Sequence, residues 1–207
     1  SIQPTMAGIR GAWVAGGIEF NFPDCHSVTS HDEVHWTTRE YPDGSMSILI
    51  GDVERISRMG WTVELRLSPD RACLEDRVQL INRTPIRQRC FYWTNAAVEG
   101  TEHVQMILPA PKVVVDTREA LLDWPLRGGV DYSWVKAYSG PASILGVGGD
   151  EDFVGAYDHA RQVGLVHYAD RTVLPARKFW TWGIGRPDRS QTQQAGDGGH
   201  SFLEMQA

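Results

Sequence analysis

The chain has 207 residues, 42% hydrophobic, 22% charged and 10% aromatic, with a formal net charge of −6 from 20 Lys+Arg against 26 Asp+Glu. That composition supports a large apolar core and excludes a disordered or collagen-like chain, and all-β domains reach this length as single units. No apolar run approaches the ~18 residues of a helical membrane span, and the basic residues form no stripe that could track a phosphate backbone, so neither a membrane nor nucleic acid is an expected partner.

Eight Trp, six Tyr and six Phe beside 21 Gly and 11 Pro describe short aromatic strands joined by many turns. Cys25, Cys73 and Cys90 are odd in number and lack C-x-x-C spacing, which fits a reducing compartment and an expected cytoplasmic location.

In chain order, the stretch Gly16–His26 runs from a strand into a loop. Pro42-Asp43-Gly44 predicts a hairpin turn between Val34–Glu40 and Met46–Gly51, because Pro presets φ, Asp can bond its own backbone and Gly accepts a positive φ. Trp61, Val63, Leu65 and Leu67 alternate with Thr62, Glu64 and Arg66, the period of a half-buried strand. Ser68-Pro69-Asp70-Arg71 then turns the chain into Leu74–Ile81, a second hairpin. Arg89–Val98 is apolar or aromatic on both faces, which predicts a central strand or one lining a cleft. Further strands are expected at His103–Leu108, Lys112–Val115, Ser143–Val147, Phe153–Tyr157, Gly164–Tyr168, Lys178–Trp182 and Ser201–Gln206, with a helical turn at Thr117–Leu122 and a polar loop at Gln191–His200. The economical reading is all-β, one antiparallel sandwich domain over residues 1–207.

Several residues could carry chemistry. Trp180 and Trp182 stand two apart, so in a strand both indoles leave the same face, either as a platform for the apolar side of a sugar ring or as core. Phe91, Trp93 and Asn95 share one face of the central strand, and an Asn among aromatics either braces a loop or faces a wet cleft. In Phe202–Gln206, Leu203 and Met205 alternate with Glu204 and Gln206. If the first pair is core, Glu204 faces solvent or a sheet-lined cleft, where desolvation would suit it to proton transfer. His26, His31 and His35 lie close in sequence, yet H-x4-H-x3-H matches no compact ligand signature. Metal-dependent chemistry there is the least favoured reading. Neither a metal nor a cofactor is expected.

Six ordered segments carry a resemblance: Gly8-Ile9-Arg10-Gly11-Ala12-Trp13, Gly16–Pro23, Asn82-Arg83-Thr84-Pro85, Tyr92–Val98, Ala156-Tyr157-Asp158-His159 and Lys178–Gly183. Together they resemble an uncharacterised bacterial domain family often found ahead of tetratricopeptide repeats. That family is similar to the galactose mutarotase-like superfamily, which includes aldose 1-epimerases. The resemblance implies a large antiparallel β-supersandwich with a sugar-sized cleft on a concave sheet, carbohydrate as partner, and repeat domains of the same native protein as neighbours. Phe202–Gln206 resembles the epimerase segment that carries the catalytic base, and Glu204 matches that base. The epimerase acid is a His on a central strand, where this chain reads Trp93-Thr94-Asn95-Ala96-Ala97. His26 or His159 would have to replace it, whereas Asp24 or Glu19 beside Glu204 would suggest glycoside hydrolysis instead. The resemblance also implies a sandwich that continues past the Glu204 strand, hence an incomplete one here.

The expected site therefore combines Glu204 and His26 as catalytic groups with Trp180, Trp182, Trp93, Asn95 and Arg10 as sugar-binding groups. The expected function is carbohydrate binding or carbohydrate chemistry, epimerase-like or associated with glycoside hydrolysis. The alternative is a non-catalytic glycan-recognition or structural module of a larger repeat protein.

Overall fold

Alternating apolar residues and frequent turn signals give strands almost throughout. The computed structural model describes residues 3–6, 12–15, 17–23, 33–116, 120–184 and 201–207. In chain order the strands are β1 (Gln3–Met6), β2 (Ala12–Ala15), β3 (Gly17–Asn21), β4 (His35–Glu40), β5 (Met46–Val53), β6 (Met59–Leu67), β7 (Leu74–Asn82), β8 (Trp93–Glu99) and β9 (Val104–Ile107). They continue as β10 (Lys112–Val115), β11 (Leu121–Asp123), β12 (Leu126–Arg127), β13 (Val130–Asp131), β14 (Ala142–Val147), β15 (Phe153–Asp158), β16 (Val163–Tyr168), β17 (Lys178–Thr181) and β18 (Phe202–Gln206). A single 3-10 turn at Val135–Ala137 is the one helical element among the described residues.

The chain divides into two compact units, one of Ser1–Phe20 with Trp93–Ala207, the other of Asn21–Tyr92. The second is a four-stranded antiparallel meander, β4-β5-β6-β7. Its first hairpin closes at the predicted turn: Gly44 has φ 80, and the Ser45 amide donates to Asp43 Oδ1 at 3.0 Å. The register aligns Trp36, Ile50, Val63 and Val78 across one face, and Val63 at its centre is 1% exposed. Glu54 is buried after β5, where its carboxylate accepts the Ile56 and Ser57 amides and the Ser57 hydroxyl.

The first unit is an antiparallel sandwich. A seven-stranded sheet, β11-β10-β14-β17-β18-β8-β3, and a three-stranded sheet, β16-β15-β9, share one core. Val113, Ile144, Phe179, Leu203 and Met205 enter it from the larger sheet, and Val104, Met106, Val154 and Ala156 from the smaller. The alternation that buries Leu203 and Met205 is the one the sequence predicts, because a one-residue slip would send both to the opposite face.

Two expectations change. Arg89–Tyr92 is not strand: β8 begins at Trp93, where the chain passes from one unit to the other, and the Phe91 amide bonds Pro23 O at 2.7 Å. Phe91 therefore precedes the face it was expected to share. The helical turn at Thr117–Leu122 gives way to β11, since Leu121 and Leu122 pair with Val114 and Val113 and the edge of a sheet satisfies their backbone. Residues 117–119, like the expected loop at 191–200, lie outside the described residues. The short hairpin of β12 and β13 escapes pattern reading because its strands are too short to show a period, although Gly128 and Gly129, both at positive φ, mark its turn.

Candidate functional site

Strand phase decides which side chains face away from the core. In β17, Phe179 and Thr181 are fully buried, which turns Lys178 and Trp180 to the opposite side. Trp182 continues that side, its amide bonded to Phe202 O at 3.2 Å. The following residue has to be glycine: Gly183 has φ +69, and a Cβ there would meet Tyr138 O at 2.6 Å. The two indoles meet edge to face, centroids 5.7 Å apart at 80°, and both are half-buried. Lys178 Nζ lies 5.9 Å from the Trp180 ring centroid.

Register brings the remaining groups to these rings. Trp180 pairs with Glu204, Glu204 with Ala97, and Gln206 with Asn95. Ala97, directly across from Glu204, offers only a methyl group. Asn95 is 4% exposed, and its Nδ2 donates to Glu204 Oε2 at 3.2 Å and to Glu19 Oε2 at 3.0 Å. Gln206 Nε2 donates to the same Glu204 oxygen at 3.3 Å. Glu19 is fixed from the neighbouring strand β3, whose backbone carbonyl at Glu19 accepts the Thr94 hydroxyl at 2.9 Å. One buried amide thus holds two carboxylates, one from each strand flanking β8. Its own carbonyl oxygen, Asn95 Oδ1, is buried without a hydrogen-bond partner.

Of the predicted site residues, Glu204, Asn95, Trp180 and Trp182 share this face, and half-buried Trp93 stands two residues from Asn95 on the same strand. Arg10 and His26 lie outside the described residues, as do Asp24 and His31. His35 is exposed at the start of β4. Among the described residues no group of three His, Cys, Asp or Glu could hold a metal ion.

His159 does not join Glu204. It follows β15 of the smaller sheet, in phase with outward Tyr157 while Ala156 and Asp158 are buried, so the core separates it from the Glu204 face. Its ring is engaged there, with centroids 4.9 Å from both Trp134 and Tyr157 and Nε2 2.9 Å from Gln105 Oε1. Gln206 was legible from its i+2 spacing to Glu204. The contact between Glu19 and Asn95 was not, because 76 residues separate them in sequence.

Fold and site together define an all-β sandwich with a half-buried carboxylate pair and a half-buried indole pair on the face of its larger sheet that turns away from the core. The chain matches the domain of unknown function DUF5107 over residues 2–207 and belongs to that family. It is also similar to the crystal structure of a TPR-domain containing protein from Parabacteroides distasonis, with 25% identity and a TM-score of 0.85 over 99% of this chain. The match spans 35% of that protein, so this chain corresponds to about a third of its length. No helix among the described residues is long and apolar enough to cross a membrane.

Proposed function

We propose that this domain binds a carbohydrate on the outer face of its larger sheet, at Glu204, Asn95, Trp180 and Trp182. The observation that carries the reading is the phase of β17 and β18, which sets two half-buried indoles beside a carboxylate while Phe179, Leu203 and Met205 fill the core. A pyranose needs an apolar surface for its C–H face and polar groups for its hydroxyls. The indoles supply the first, and the half-buried Glu204 carboxylate, held from behind by Asn95 and Gln206, supplies the second.

Immobilised-glycan binding, with intrinsic Trp fluorescence for affinity, tests this. Trp180→Ala should weaken binding at least tenfold, in line with the loss of an aromatic contact. A parent protein that binds no glycan would refute it. Similarity to a TPR-containing protein supports a second reading, a non-catalytic glycan-recognition or structural module beside repeats of a longer native chain. That reading predicts no turnover of any bound sugar, including the interconversion of anomers that an epimerase-like site would catalyse. Glu204→Gln should abolish such interconversion, if the parent shows it, and weaken binding by no more than a few-fold, because the amide keeps a hydrogen-bonding group at that position.

A further inference from the structure

Strands β10 and β14 are apolar on both of their faces. Val113, Ala142 and Ile144 enter the core, while Val114, Leu145 and Val147 turn the other way. The solvated face of an antiparallel sheet ordinarily alternates to polar residues, so an outward face that stays aliphatic is suited to being covered. Leu145 is 36% exposed, Val147 37% and Leu121, on edge strand β11, 53%.

Register decides what stands next to this surface. Leu121 pairs with Val114, Val114 with Leu145, and Leu145 with Lys178. Ser143, two residues before Leu145, is the residue opposite Trp180. The aliphatic row therefore begins one diagonal step from the Trp180 indole, a ~7–8 Å separation that an aromatic side chain can span. Half-buried Lys178 joins the two, with Nζ 5.9 Å from the Trp180 ring centroid and an alkyl stem that prolongs the apolar surface. From β17 across β14 and β10 to β11 the row crosses three strand spacings, about 14 Å, leading away from Glu204 on β18.

We infer that the ligand of this face is a glycoside with a long alkyl aglycone, its sugar at Trp180 and Glu204 and its chain laid along Leu145, Val114 and Leu121. This rests on the carbohydrate reading of the face and adds to it the class of ligand, an amphiphilic glycoside. A longer glycan fits the row poorly, because each further sugar needs polar partners for its hydroxyls and these three side chains offer none. An aryl aglycone would cover about one strand spacing and leave the rest of the row in water. An alkyl chain matches both the length of the row and its aliphatic character.

Binding of methyl, butyl and octyl β-glucosides and β-galactosides to the whole chain, below micelle-forming concentrations, tests this by calorimetry and intrinsic Trp fluorescence. Affinity should rise with chain length, by up to ~fourfold per added methylene while the chain still has row to cover. Trp180→Ala should weaken every member of a series by a similar factor and leave its slope unchanged. Leu145→Asn and, at the exposed edge, Leu121→Asn should flatten the slope, with urea midpoints showing that each variant is folded. A flat series in the parent, a slope that both leucine variants retain, or a phenyl glycoside bound more tightly than the octyl one would each overturn the inference. The carbohydrate reading would survive those results as long as methyl glycosides bind. Octyl glycosides bound no more tightly than octanol, or no binding of any glycoside, would overturn both.

Discussion

Replacing Asn95 with aspartate changes almost no volume and reverses the electrostatics of the carboxylate pair. The Nδ2 that donates to Glu19 and Glu204 becomes an oxygen facing two carboxylate oxygens at 3.0 and 3.2 Å. At an effective dielectric of ~20, each such contact between unit charges would cost about 5 kcal/mol, too much for the variant to remain ionised when it can take up a proton. The introduced carboxyl therefore stays protonated in the folded state far above the ~3.9 of an unfolded aspartate, and each unit of that difference is worth ~1.36 kcal/mol. Because the folded variant holds a proton that the unfolded chain releases, its stability relative to the parent falls as pH rises above about 4, by up to ~1.4 kcal/mol per unit. The accumulated loss reaches about 4 kcal/mol near pH 7. Urea denaturation followed by Trp fluorescence, repeated between about pH 4 and 8 on variant and parent, measures this directly. A parent-to-variant difference that stays constant across that range would show that the amide does not bridge the two carboxylates.

Phe179→Ala should cost ~3–5 kcal/mol in the same denaturation experiment, because the ring is fully buried, whereas half-buried Trp180→Ala should cost clearly less. Equal losses would place both rings in the core. Gly183→Ala should destabilise by more than ~1 kcal/mol, since it combines a positive φ with a Cβ 2.6 Å from Tyr138 O, and a variant as stable as the parent would contradict that backbone. Burial pushes the Glu54 carboxyl up, but bonds from Ser57 and Ile56 outweigh it and hold the group below its ordinary range. Its contribution to stability is then present above the unfolded pKa near 4.5 and lost as pH falls through the lower folded value. Glu54→Gln should therefore be less stable than the parent at neutral pH and converge with it in acid, as urea midpoints across pH will show.

Much of this architecture is local information. The Asp43-Gly44 turn, the alternation of Trp61 to Leu67 and the phase of Leu203 and Met205 follow from backbone preferences and a period of two, which act over a few residues at a time. The expected strand at Arg89–Tyr92 fails because apolar composition cannot tell a central strand from a segment that links two units. His159 fails as a partner of Glu204 because a motif does not say which sheet of a sandwich will carry it.

Sequence by itself determined the class of fold and which side of β18 Glu204 would take, because side-chain direction in a strand is fixed by parity once the core residues are known. Only tertiary structure decided what stands beside that carboxylate. Asn95 reaches it, and ties Glu19 to it, through the lateral order of β18, β8 and β3, in which strands from opposite ends of the chain flank one from its middle. Lateral order is set by the packing of the whole sheet, and alternation within a single strand carries no trace of it.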